Sequence, residues 1–134
     1  VIRSIALAAA LCSATPALAR PVTYTCQLEV ARSQSWVPDQ VVIRYDAATG
    51  SVVVNDPVIQ HFVGAPVLGR VKADTDRRIT FAWDLVMVKN QEGQVISALL
   101  YRATITKPGL ALRVTAIPAG YANTFAAAGR CRLQ

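Results

Sequence analysis

The chain has 134 residues, of which 53% are hydrophobic, 16% charged and 7% aromatic, a range that describes one folded domain and excludes disorder or a multidomain enzyme. Basic residues number 14 against 8 acidic ones, for a formal charge of +6. Seven glycines, seven prolines and one histidine exclude a collagen-like repeat, a low-complexity linker and a multi-histidine metal site.

Residues 1–19 follow the plan of a secretory signal peptide: one early base, Arg3, an apolar run from Ile5 to Leu11, the helix breaker Pro16, then the small-x-small site Ala17-Leu18-Ala19. The run is far short of the roughly 20 residues that span a bilayer, and no later stretch is longer, so the expectation is an exported chain, periplasmic or secreted, without a transmembrane span. The chain opens on Val1, which fits either a literally read alternative start codon or a truncated start. Cys12 follows Leu11, whereas a lipidated cysteine follows a small residue; it is expected to leave with the signal. Cleavage after Ala19 leaves residues 20–134 as a single all-β domain with one positive charge fewer and two cysteines, Cys26 and Cys131. An even pair in an exported chain is expected to be oxidised. Closing a loop of that length is worth ~4.7 kcal/mol in the chain-entropy account.

Period-two alternation dominates the rest. Val22, Tyr24, Cys26, Leu28 and Val30 alternate with Thr23, Thr25, Gln27 and Glu29, which reads as a half-buried strand. A second strand carries Val41, Ile43 and Tyr45 and a third Val52 and Val54, joined by a turn in which Gly50 supplies a positive φ. Residues 56–69 hold Pro57, Gly64 and Pro66 and read as the longest irregular stretch, a lid or plug. Ile79, Phe81, Trp83, Leu85 and Met87 then mark one face of a long strand. No helix of useful length shows a 3.6-residue period after Ala19. The strands fall near 22–31, 40–46, 51–55, 70–74, 77–89, 95–107, 110–117 and 129–133. About eight antiparallel strands in a meander suit a small barrel or a curved sandwich, and a disulfide between the first and last favours closure.

Pro108-Gly109 sets Lys107 opposite Leu110, which pairs Ile105 with Leu112, Ala103 with Val114 and Tyr101 with Ala116. The preceding hairpin, around 90–94, avoids burying Arg102 beside Phe81 only if Leu85 meets Leu99, Trp83 meets Tyr101 and Phe81 meets Ala103. Both hairpins select the same inward set on the shared strand. The second also sets Asp84 near Arg102 as an exposed ion pair.

Three places invite binding. Val86, Val88, Ile96, Ala98 and Leu100, with Ile117, form an apolar group on the outer face. Val58, Ile59, Phe62, Val63, Val67 and Leu68 are expected to fold over it as a second small core. His61, beside Phe62, suits either a pH-responsive ligand contact or a solitary surface histidine, the commoner case. The segment Pro118 to Phe125, with Tyr121, Asn123 and Phe125, forms either a rim with Trp36 or a corner in which Tyr121 and Phe125 plug the barrel end; the corner is the favoured reading.

No nucleophile elbow, cysteine–histidine pair, phosphate-binding glycine loop or metal-ligand cluster is present. Metal ligands and cofactors are therefore not expected, and the aspartates fall in turns or on outward faces. The basic residues are dispersed, without the dense, aromatic-interleaved stripe of a nucleic-acid binder. They bias encounters towards an anionic envelope polymer or an acidic protein. Tyr24-Thr25-Cys26 and Cys131 resemble the chain ends of small periplasmic β-barrel lysozyme inhibitors. That family's inhibitory loop is not found here, so the resemblance implies no site residue. The leading expectation is a non-enzymatic exported domain that binds another envelope or secreted component. The alternative is a carrier with a small apolar ligand inside the barrel, against Trp83, Tyr101, Met87 and Phe81; third comes an enzyme whose site is assembled from distant strands.

Overall fold

A computed structural model describes residues 12–15, 20–89 and 91–134, the side chain of Met87 excepted. The expected signal, apart from residues 12–15, lies outside the described residues, as does the inward placement of the Met87 side chain. Eight strands follow one another: β1 (Val22–Glu29), β2 (Gln40–Asp46), β3 (Ser51–Asn55), β4 (Val67–Asp74), β5 (Arg78–Lys89), β6 (Val95–Thr106), β7 (Ala111–Pro118) and β8 (Phe125–Leu133). Each pairs antiparallel with the next, and β8 returns to β1, so the meander closes into a barrel. Closure removes the two free edges that an open meander would present.

The registers follow from hydrophobic alternation. Leu85 faces Leu99, Trp83 faces Tyr101 and Phe81 faces Ala103. On the other side of β6, Tyr101 faces Ala116, Ala103 faces Val114 and Ile105 faces Leu112. A one-residue slip in either hairpin would bring Arg102 inside. The inward aromatics fill the barrel: Trp83 and Tyr101 stack almost in parallel at 5.4 Å, and Phe81 packs against Tyr24 at 5.7 Å and Tyr45 at 5.6 Å. Trp83, Tyr101 and Phe81 are fully buried, and truncating a buried Trp or Phe to Ala removes ~3–5 kcal/mol. Cys26 and Cys131 stand directly opposite each other across the closing seam and form the disulfide, 105 residues apart in sequence.

Several details depart from the sequence expectation. Residues 56–69 are not irregular: Asp56 caps a short helix, α1 (Pro57–Phe62), and β4 has begun by Val67. Pro57 acts here as a helix starter, since its missing N–H is one of the first-turn donors that lack a partner in any case. The segment does not cover the outer apolar face either. Ile59 is driven wholly into the core, whereas Leu68 is 78% exposed and Val86 71% exposed. Val88 and Ile96 keep the side of that face, since the β5–β6 ladder runs without a shift, but are only 2% and 6% exposed; Ile96 lies among Trp36, Pro118, Tyr121 and Phe125 of the end connections. Asp84 is held by Arg70 at 3.3 Å and not by Arg102, although both arginines lie opposite Ala82, one on each side of β5. β8 begins at Phe125, four residues before the expected start at 129. Its Ala126-Ala127-Ala128-Gly129 run has little strand propensity of its own, but pairing on both sides overrides that.

Candidate functional site at the barrel end

An antiparallel meander sends alternate connections to opposite ends. In this chain the short ones, 47–50, 75–77 and 107–110, gather at one end, where Lys107 Nζ clasps Asp74 Oδ1 at 2.7 Å and the Thr75 carbonyl at 3.0 Å. The others, 30–39, 56–66, 90–94 and 119–124, gather at the opposite end. Trp36, His61, Phe62, Tyr121 and Asn123 all belong to that second end, so the topology brings together residues that are far apart in sequence.

Two cavities open there, and Trp36 borders both. The larger, about 760 Å³, is lined by Trp36, Val58, His61 and Phe62 and rimmed by Ser35, Lys89, Gln91 and Glu92. The smaller, about 230 Å³, lies between Trp36, Ile96, Pro118, Tyr121, Asn123 and Phe125, with Gln94 at its edge. The half-buried ring of Trp36 stacks on Phe62 at 5.7 Å, and His61 meets the same Phe62 edge-on at 4.7 Å. Tyr121 does not plug the barrel end. It is 50% exposed on the wall of the smaller cavity, while Phe125 is half-buried as the first residue of β8.

The tryptophan is held from below. The Tyr101 hydroxyl, at the top of the core stack, donates a 2.7 Å hydrogen bond to the Trp36 carbonyl. A single turn of 3-10 helix at Arg32–Gln34 fixes the loop from the side, where Gln34 Oε1 accepts from the Ala126 amide at 2.8 Å. On the other wall, Asp56 Oδ1 accepts from the Ile59 amide at 2.8 Å and so caps α1, which carries His61 and Phe62. Gln60 Nε2 donates to Asn55 Oδ1 at 2.8 Å alongside.

Asp56 is 5% exposed, and its second oxygen, Oδ2, is buried without a hydrogen-bond partner. Burial pushes its carboxyl up from the ordinary 3.8 to about 6, against the lowering effect of the Ile59 and Val58 amides. The Tyr101 hydroxyl is also pushed up, first by burial and then by the neighbouring Asp56 carboxylate. The Trp83 indole Nε1, in the same stack, is likewise buried and unpartnered. Among the described residues there is no cluster of three or more His, Cys, Asp or Glu placed to hold a metal.

Of the expected binding residues, Trp36, His61, Phe62, Ile96, Tyr121, Asn123 and Phe125 converge on this end. Val86 and Leu100 remain outside on the barrel wall, and Val88 is buried. Sequence reading missed Asp56 and Tyr101 as the supports of the site. The Asp-Pro pair is an N-cap signature that marks the first; nothing local marks the second, because its acceptor is a backbone carbonyl 65 residues away. Compared with known proteins, the chain matches no protein-family model, no curated protein and no solved structure.

Proposed function

We propose that this protein is an exported, non-enzymatic binding domain that receives another envelope or secreted component at the end of the barrel carrying Trp36. The observation that carries the reading is the position of Trp36, half-buried on the shared wall of two cavities with aromatic neighbours on both sides. A large ring held by its backbone costs little conformational entropy to bury further, which is why Trp and Tyr dominate recognition surfaces. Gln91, Gln94 and Asn123 supply polar groups at the rim. The disulfide supports an oxidising compartment.

The test is affinity capture from periplasmic and culture-supernatant extracts, at native and at low salt, with the full chain, Trp36→Ala and the distant Lys72→Ala as baits. A component retained by the full chain and Lys72→Ala but lost from Trp36→Ala supports the reading. No reproducible capture at either salt would overturn it, and equal capture by all three would remove Trp36 from the site.

The alternative of an apolar ligand inside the barrel loses its place to Trp83, Tyr101 and Phe81, which occupy the positions it needs. A small ligand has room instead in the larger end cavity, whose volume lies in the range of small-molecule sites. Native mass spectrometry of the purified protein separates this second reading, which requires a retained mass.

A further inference from the structure

The registers place five arginines in a pattern that their spacing in the sequence conceals. Arg102 on β6 lies opposite Thr115 of β7, two residues from Arg113. Arg113 lies opposite Ala128 of β8, two residues from Arg130. Arg130 lies opposite Gln27 of β1, two residues from Thr25, and Thr25 lies opposite both Arg132 and Val42. Val42 is two residues from Arg44 on β2. Each step therefore crosses one strand and advances two residues, so Arg102, Arg113, Arg130, Thr25 and Arg44 form one diagonal, with Arg132 beside Thr25. Strand spacing and rise per residue make each step roughly 8 Å.

All five guanidinium side chains are on the outer face and exposed. None takes part in an ion pair among the described residues, where the pairs are Arg70–Asp84 and Lys107–Asp74. The positions between them are small or polar, Thr104, Thr115, Ala111, Ala128, Gln27 and Thr25, with Val42 the one larger apolar residue. Glu29 flanks Ala128 from the β1 side, Asp46 follows Arg44 on β2, and Asp84, one step beyond Arg102, is taken up by Arg70, which leaves five positive groups against two acids outside ion pairs along the diagonal.

We propose that this diagonal is a docking track for a linear anionic polysaccharide. The row runs over five positions in steps of roughly 8 Å, farther than one small anion can span, and it suits a chain that carries a carboxylate or sulfate on every sugar or every second sugar. Arginine offers each such group a planar two-pronged donor. A single-stranded nucleic acid fits less well, since no aromatic side chain stands on the track to stack a base. A lipid surface also fits less well, since Val42 is the one larger apolar side chain among the intervening residues, too little to insert. The track lies on the barrel wall, away from Trp36, and stands independently of the barrel-end site.

The test measures binding of a heparin octasaccharide and of oligogalacturonate to the full chain, to Arg113→Gln/Arg130→Gln, to Arg113→Lys/Arg130→Lys, and to Arg77→Gln/Arg78→Gln, which loses the same charge off the track. Loss of two exposed charge contacts should weaken both sugars about tenfold in the track Gln variant, with the Lys variant between it and wild type and the off-track control within about twofold. Equal weakening by the track and off-track Gln variants would reduce the effect to net charge and overturn the proposal. Tighter, equally track-dependent binding of single-stranded DNA or anionic phosphatidylglycerol vesicles would overturn the assignment to polysaccharide. Far-ultraviolet circular dichroism and melting of each variant confirm that the barrel is intact.

Discussion

Asp56 holds two roles that pull in opposite directions: a carboxylate is a strong acceptor for the first turn of α1, yet its buried second oxygen has no partner. The protonated form is favoured in the fold, with a folded value of about 6 against 3.8 for the free side chain. Between those values the native state binds more protons than the unfolded one. This group's contribution to stability is therefore largest below about pH 4, falls as pH rises through about 6, and is constant above. The change is on the order of 2–3 kcal/mol. Urea unfolding at pH 4, 5, 6 and 7 should show that slope in the wild type and a flatter one in Asp56→Asn, whose amide keeps an acceptor for Ile59. Tyr101→Phe tests the other support. Removal of one hydrogen bond should cost about 1 kcal/mol, and acrylamide quenching of fluorescence should increase as Trp36 loosens, because fully buried Trp83 is shielded in both proteins.

At the level of elements, β5, β6 and β7 and their pairings are legible in the sequence because each carries a period of two and the two turns between them fix the register. The inward set around Trp83 and Tyr101 followed from the cost of burying Arg102. β4 was read short, since Leu68-Gly69-Arg70 carries no alternation of hydrophobic and polar residues; β8 was read short because a run of alanines does not announce a strand. α1 was missed because six residues are too few to show a 3.6-residue period, although its cap was written in Asp56-Pro57. At the seam, Gly129 is opposite Leu28, and a Cβ placed there would overlap the Gln27 carbonyl oxygen. Backbone cannot move aside as a side chain can. Gly129→Ala should therefore lose about 2–3 kcal/mol in urea unfolding, whereas Gly109→Ala, in open space, should lose far less.

On the scale of the whole molecule, the barrel presents three separate surfaces: connections that line cavities at one end, an arginine diagonal on the wall, and polar turns clasped by Lys107 at the other end. The gathering at one end could have been drawn from the meander alone, because alternate connections must share an end. That Trp36 would border two cavities could not, because it depends on how the 30–39 connection settles over Tyr101. The Cys26–Cys131 bond fastens the same ring by closing a 105-residue loop. Reduction should lower stability by about 2–5 kcal/mol, measured by thermal melting with and without dithiothreitol. The arginine diagonal and the barrel-end binding should respond to that loss together, since both depend on closure at β1 and β8.

The first and last strands are neighbours, and the Gln134 amide donates to the Thr23 carbonyl at 2.9 Å. The ring therefore has no privileged starting point. A short linker from Gln134 to Arg20, with new termini opened within 47–50, should give a circular permutant with the same fold and the same barrel-end cavities. Opening the chain within 119–124 should keep the barrel but disturb the Trp36 surface. Because β8 runs from the 119–124 connection to the opposite end, a surface tether or fusion partner attached after Gln134 would leave the Trp36 end facing outward.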